Sequence, residues 1–337
     1  MNELWRRDEL SPRTGCPVCA AAVPRTAVAT RVDGLNVKRC PRCALLYVDP
    51  VPSDEALRRC YGANYFQASD DGPRGIGYEL PADVNYFAQR DAALASGQLL
   101  CLPETIANFE INGRDVLEIG CSSGALLESL RRRGAARLVG IDIDEAAISY
   151  GRARYQVDLR CGDLESAGLG DDRFDIVILI DVLEHFADTA GFFRMAAARV
   201  TDGGGMVIST PNAQAFDAAG DRWLGLERSL EHVCYPSVAS LKRLADDCGM
   251  RLDRTWTEGL PVALSAYWHP ARSRVSRILH EPVVALGNAL TKWKFAAAQS
   301  NGHGADLRAI LRRDPDIRSA RASMAASAAV RTVDASS

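Results

Sequence analysis

Three kinds of residue in this chain have types and spacings suited to chemistry. Four cysteines form two identical knuckles, Cys16-Pro-Val-Cys19 and Cys40-Pro-Arg-Cys43. Each C-x2-C turn aims two thiolates at one point, and four such sulfurs fit a tetrahedral zinc ion. A closed shell of four thiolates leaves no open position, so the metal's role would be structural; reduced or vestigial thiols are the alternative. Four carboxylates, Glu118, Asp142, Asp163 and Asp181, each follow or close a short apolar run. Two histidines, His185 in Asp181-Val-Leu-Glu-His185 and His232 in Glu231-His-Val-Cys-Tyr235, are candidates for a general base. An unperturbed imidazole titrates near pH 6.5, which suits that work, although a lone histidine is more often structural.

The elements that must position the acids follow from apolar periodicity. Residues 114–124, Arg-Asp-Val-Leu-Glu-Ile-Gly-Cys-Ser-Ser-Gly, read as a buried strand entering a glycine turn, with a helix after it. That is a nucleotide-binding geometry, since a glycine's missing Cβ lets backbone approach a ligand. The next strand ends in Asp142, placed to take two ribose hydroxyls. Ser122 stands where a dinucleotide fingerprint requires its middle glycine. Glu118, at the mouth of the turn, would repel a pyrophosphate and attract a cation. S-adenosylmethionine carries a sulfonium, an ammonium and no phosphate, so the physics favours it over NAD.

Val116-Leu-Glu-Ile-Gly-Cys-Ser-Ser-Gly124 resembles motif I of class I S-adenosylmethionine-dependent methyltransferases. Gly140-Ile-Asp-Ile-Asp144, Cys161-Gly-Asp163, Phe174–His185 and Gly203–Asn212 resemble the later motifs in order and spacing. The resemblance covers roughly residues 85–260 and is strongest to the ubiquinone-biosynthesis O-methyltransferase branch. It implies an α/β fold: a Rossmann-like seven-stranded, mostly parallel sheet with helices on both faces, joined here to a small N-terminal zinc ribbon. It also implies roles. Gly120, Cys121, Ser122 and Gly124 would surround the methionine part, and Glu118 its ammonium. Asp142 and Ile143 would serve the ribose end, Asp163 and Leu164 the adenine, and Asp181 would close the set. More loosely, the knuckle pair followed by Tyr47-Val-Asp-Pro-Val-Pro52 resembles bacterial methyltransferases of saccharide and secondary-metabolite pathways.

In order, the chain reads as a ribbon over 1–50, a linker or lid over 51–82, and a methyltransferase domain over 83–313. A helical insertion is expected at 258–303, before a closing antiparallel strand at 304–312. A poorly ordered tail follows from 314. Ser53 caps a helix. The aromatics Tyr61, Tyr65, Phe66 and Tyr78 either dock the linker or cap the active site. Helices are expected at 83–102, 123–133, 144–155, 189–200 and 237–248. Strands are expected at 115–119, 137–141, 157–160, 174–180, 204–209 and 250–257. Such alternation means a parallel sheet covered on both faces, with ligands beyond the strands' carboxyl ends.

Composition bounds the rest. The formal net charge is −3, which argues against a general nucleic-acid binder, and no nucleic-acid partner is expected. Residues 251–313 nevertheless carry ten basic against four acidic side chains. This is either a solvated basic face or a surface for a phosphorylated or carrier-linked acceptor. Residues 272–299 read as a basic amphipathic helix, packed on its own domain or at most touching a membrane surface. No run of about twenty apolar residues and no secretory core occurs, so a cytoplasmic, reduced-thiol protein is expected. The remaining six cysteines read as small apolar fillers. The expected activity is methyl transfer to a small molecule, most simply a hydroxyl of a sugar, nucleotide-sugar or other intermediate. An RNA methyltransferase is the alternative, although no Asn-Pro-Pro-Tyr-like motif occurs. A non-catalytic binding module is the other. The oligomeric state is not legible.

Overall fold

A computed structural model describes residues 4–61, 65, 85–96, 109–259 and 301–313. The expectations for the 258–303 insertion, the 272–299 helix, most of the 61–82 linker, Cys101 and the 314–337 tail fall largely or wholly outside those residues.

The strands that come first are short: β1 (Leu10–Ser11), β2 (Ala29–Thr30), β3 (Asn36–Arg39), β4 (Leu46–Val48) and β5 (Val51–Pro52). Helix α1 (Asp54–Cys60) follows, capped by Ser53, whose side chain accepts from the Ala56 amide. Helix α2 (Tyr86–Ala95) precedes the main sheet. The core then alternates β6 (Asp115–Ile119), α3 (Ala125–Arg131), β7 (Arg137–Asp142), α4 (Glu145–Arg152), β8 (Asp158–Cys161), β9 (Phe174–Ile180), α5 (Thr189–Ala198) and β10 (Val200–Pro211). A short α6 (Ala215–Ala219), β11 (Cys234–Tyr235), α7 (Val238–Asp247), β12 (Met250–Glu258) and β13 (Asp306–Arg313) complete it.

The seven-stranded sheet has the order β12-β13-β10-β9-β6-β7-β8. β6 pairs parallel with both β7 and β9, while β13 runs antiparallel to β10 and β12. The chain leaves β6 in one direction and later returns on its other side. That makes the carboxyl ends of β6 and β9 a topological switch point, where such sheets open a crevice. Alternate residues face opposite layers, as a pleat requires. Leu117, Val139, Val177 and Ile208 pack in one apolar cluster. Val116, Ile176, Ile178 and Val207 pack in the other.

The sequence-predicted strands survive with small shifts. β10 is longer than expected because its register slips between Val200 and Gly205, so the glycine run belongs to the strand. α3 starts late because Gly124 is left-handed, at φ +77°. α4 starts at Glu145 because Asp144 caps it, accepting from the Ala146 and Ala147 amides.

The four cysteines are buried, and they belong to the same apolar cluster as Leu117, Ile119 and Leu179 of the main sheet. Their sheet has the order β11-β4-β3-β2, so Cys234–Tyr235 supplies its outer strand. Among the described residues, no helix is long and apolar enough to cross a membrane.

Candidate active site

A cavity of about 1070 Å³ opens at the carboxyl ends of β6, β7 and β9. Glu118, Gly120, Cys121, Ser122, Asp142, Ile143, Asp163, Leu164, Asp181, His185 and His232 all line it. Of the sequence-predicted residues near the cofactor, Gly124 alone does not. It caps α3 instead, and a Cβ there would meet Leu159 Cδ2 at 2.6 Å.

The turn after β6 works differently from its sequence reading. A Cβ on Gly120, at φ +74°, would lie 2.5 Å from Val182 Cγ2. The missing side chain thus admits the β9 loop rather than a ligand. Ser122 holds φ +50°, a conformation that favours glycine. Its amide donates to Asp142 Oδ2 at 2.7 Å, and the Asp144 amide donates to Oδ1 at 2.9 Å. These bonds fix the carboxylate while leaving acceptor capacity on both oxygens.

Glu118 is 3% exposed, so it is walled in rather than standing at an open lip. Its Oε2 has no hydrogen-bond partner. Burial raises its pKa to about 8; Arg90 opposes that rise and Asp142 adds to it. Arg90, on α2, lines the cavity and also bears on Asp181, whose side chain stays open to the cavity while its enclosure by the walls, and then Asp306, push its pKa upward. Asp163 is largely turn-bound: its Oδ1 accepts from the Glu165 and Ser166 amides and the Ser166 hydroxyl.

The two histidines come together at the far end. His185 lies in a 3-10 turn, Leu183–His185, after β9. Its ring meets that of His232 edge-on, with centroids 4.6 Å apart. Neither titrates near 6.5. Burial lowers His185 to about 4; burial, helped by His185 and Arg31, also holds His232 well below the usual imidazole range. His232 Nε2 is 3.9 Å from Glu184 Oε1. Glu184 is wholly buried, its Oε2 accepts from Thr210 Oγ1 at 2.9 Å, and its Oε1 has no hydrogen-bond partner. Glu184, His185 and His232 present ligand atoms within 4.8 Å of one another.

Two contributors, Arg90 and Asp306, escaped the sequence reading. Arg90 was one charge on a helix whose inward face was undefined. Asp306 lines the cavity because antiparallel β13 starts beside Pro211, where β10 ends; that register was the available signal. Tyr61 and Tyr65, left open as docking or capping aromatics, both line the cavity. Tyr61 stands edge-on to His185 at 5.4 Å, and Tyr65 donates to Glu231 Oε1 at 3.2 Å.

The four cysteines fit a metal. Sγ–Sγ distances are 3.6 Å for Cys16–Cys43 and 3.4 Å for Cys19–Cys40. A zinc tetrathiolate with bonds of about 2.3 Å has edges of about 3.8 Å. The knuckles are alike: Ala20 and Ala44, each following a second cysteine, are left-handed at φ +54° and +56°. Their amides donate to the Cys16 and Cys40 carbonyls at 2.9 and 3.0 Å.

A family profile described as "Methyltransferase domain" matches residues 85–255. A probable S-adenosylmethionine-dependent methyltransferase of Mycolicibacterium smegmatis is 35% identical over 144 residues, covering 42% of this chain and 54% of that protein. A ubiquinone biosynthesis O-methyltransferase of Azorhizobium caulinodans is 38% identical over 107 residues, covering 30% and 42% respectively. The aligned stretch thus spans about half the length of these curated relatives. A solved S-adenosylmethionine-dependent methyltransferase from Mesorhizobium loti is 19% identical, with a TM-score of 0.43 over 66% of this chain and 100% of that one. The profile match spans just over half of the sequence and takes in β6 to β10, whose carboxyl ends border the cavity, and the chain belongs to the methyltransferase-domain family.

Proposed function

We propose that this protein transfers the methyl group of S-adenosylmethionine to a hydroxyl of a small molecule. The observation that carries the reading is Glu118: a buried carboxyl group whose Oε2 has no hydrogen-bond partner, beside Asp142, in the crevice at the switch point. A cationic ligand satisfies it; a phosphate does not. Glu118 takes the donor's ammonium and Arg90 its carboxylate, while Gly120, Cys121 and Ser122 shape the wall along the methionine part. Asp142 takes the ribose hydroxyls. Ile143, Asp163 and Leu164 form the adenine end, and Asp181 lies between donor and acceptor.

Methyl transfer is an in-line displacement at an already activated carbon. Holding nucleophile and methyl group aligned supplies much of the acceleration, several kcal/mol or more. The acceptor's proton leaves to the neutral imidazole of His232 or His185. With both rings partly buried and in contact, the site takes one proton at a time. The surroundings of these rings are acidic, with Asp181, Glu184, Glu231 and Asp306 close by. The reacting end of the acceptor is therefore uncharged, and any phosphate or carrier lies outside this end. Among the expected basic residues, Arg251, Arg308 and Arg312 pair with Asp253, Glu258 and Asp253.

A second reading of the acceptor end has its own support. Glu184, His185 and His232 form a set of donors that suits a divalent cation. Bound there, such an ion would lower the acceptor's pKa. The zinc reading of Cys16, Cys19, Cys40 and Cys43 is independent of it and structural. Elemental analysis separates the two: one metal ion per chain means the ribbon alone, two mean both sites.

The test is incubation with methyl-labelled S-adenosylmethionine and a panel of sugars, nucleotide-sugars, phenols and a transfer-RNA control. Label in a small hydroxylated product supports the reading. Label in RNA, or no retention of S-adenosylhomocysteine in calorimetry, overturns it.

A further inference from the structure

Arg31 sits on the turn between β2 and β3, and its guanidinium is fully buried. Nε donates to Asp33 Oδ1, and one terminal nitrogen donates to Asp33 Oδ2 and to the Leu230 carbonyl at 2.7 Å. The other donates to the His232 carbonyl at 2.6 Å and to Tyr235 Oη at 3.3 Å. Five N–H groups thus meet five acceptors, and no donor is left over. Asp33 is held in turn by Trp5 Nε1 at 2.8 Å and by the Leu35 amide. A buried charge is costly unless paired and bonded in this way. A planar fork that bridges two carbonyls some two hundred residues away fixes a loop more firmly than an ammonium can.

That loop is the one that presents His232. Its other side is tied to the β9 turn, where the Val233 amide donates to the Glu184 carbonyl at 2.9 Å. His232 is therefore held between the ribbon's Arg31 and the segment that carries Glu184 and His185. We propose that Arg31 is a positioning residue for His232, so that the four-cysteine ribbon is the mount of the acceptor-side histidine pair. This rests on the functional reading above for what His232 does, whether as base or as ligand, but not for where it is held.

The experiment uses the full chain. Arg31→Lys keeps the charge and loses the fork. Tyr235→Phe removes one of the five acceptors and keeps the aromatic packing. For each, three quantities are measured: the affinity for S-adenosylhomocysteine, kcat with the acceptor identified by labelling, and the imidazole 15N signals of His232. The expected result for Arg31→Lys is a fall in kcat of about thirtyfold or more, as for a misplaced catalytic group. Cofactor affinity should stay within about threefold, because Arg31 touches no cofactor-side residue, and the His232 signals should shift. Tyr235→Phe should show the same pattern, smaller, and decides the matter through the His232 signals if Arg31→Lys does not fold. Unchanged kcat and unchanged His232 signals would overturn the proposal. Parallel loss of cofactor affinity in both variants would also overturn it, by showing a general structural role. A wild-type protein that binds S-adenosylhomocysteine and transfers no methyl group would sink the functional reading instead, leaving the His232 signals to judge the mount.

Discussion

His185 and His232 touch edge to face, 4.6 Å between ring centroids, although one follows β9 and the other precedes β11. Burial keeps both neutral. A neutral imidazole keeps its lone pair free at any pH above its own low pKa, so it stays available as a general base there.

The first prediction concerns that pair. The imidazole of His185 should stay neutral from pH 8 down to about 5 and take a proton only near 4. Unfolded, it would bind a proton below about 6.5. Native stability is therefore intact above 6.5 and lost as pH falls towards 4. Histidine NMR titration checks this; a midpoint near 6.5 for His185 would refute the burial argument.

Glu118 gives a second. With a pKa of about 8, it is mostly protonated at pH 7 in the empty protein. An ammonium placed against it favours the carboxylate. Binding of S-adenosylhomocysteine should thus release about one proton at pH 7, with affinity rising up to pH 8 and levelling above. Calorimetry in buffers of different ionisation enthalpy measures the release. Glu118→Gln should abolish it and weaken binding about tenfold or more.

The motif I turn yields opposite outcomes at neighbouring positions. Ser122→Gly relieves a left-handed backbone and a buried hydroxyl without a partner, and should stabilise by about 1 kcal/mol. Gly120→Ala places a Cβ against Val182 and should destabilise by about 2 kcal/mol or more. Chemical denaturation of both variants decides.

Metal loss should not be local. The cysteines share one apolar cluster with the main sheet, and β11 completes their own. Cys43→Ser should lower the metal content by one ion per chain and lower the midpoint of a single transition. A separate early transition in calorimetry, with the main one unmoved, would show that the ribbon melts alone.

Local pattern carried much of the fold. Phe174–Ile180 is an apolar run bounded by turn residues, and its ends were legible to the residue. Glu118, Asp142 and Asp181 were legible as strand ends, because an acid after an apolar run marks the edge of a buried layer. Arg31, Asp33, Arg90 and Asp306 were not. Each acts on residues far away in sequence, and nothing local in its neighbourhood distinguishes an inward arginine from a solvated one. Ser122 was legible as a departure, but its φ was not. The shift of both histidines away from 6.5 required the burial that only the assembled cavity shows.

The pairing of β4 with β11 has a consequence for how the protein is made. While the ribosome is still reading the middle of the message, Leu46–Val48 has β3 on one side and an open flank on the other. Cys234–Tyr235 can close that flank only after nearly all of the parallel strands have emerged. The knuckles could capture a metal ion early, but the nascent chain must keep one hydrophobic seam unsealed until Cys234–Tyr235 has emerged, and that interval is when a chaperone would have something to hold.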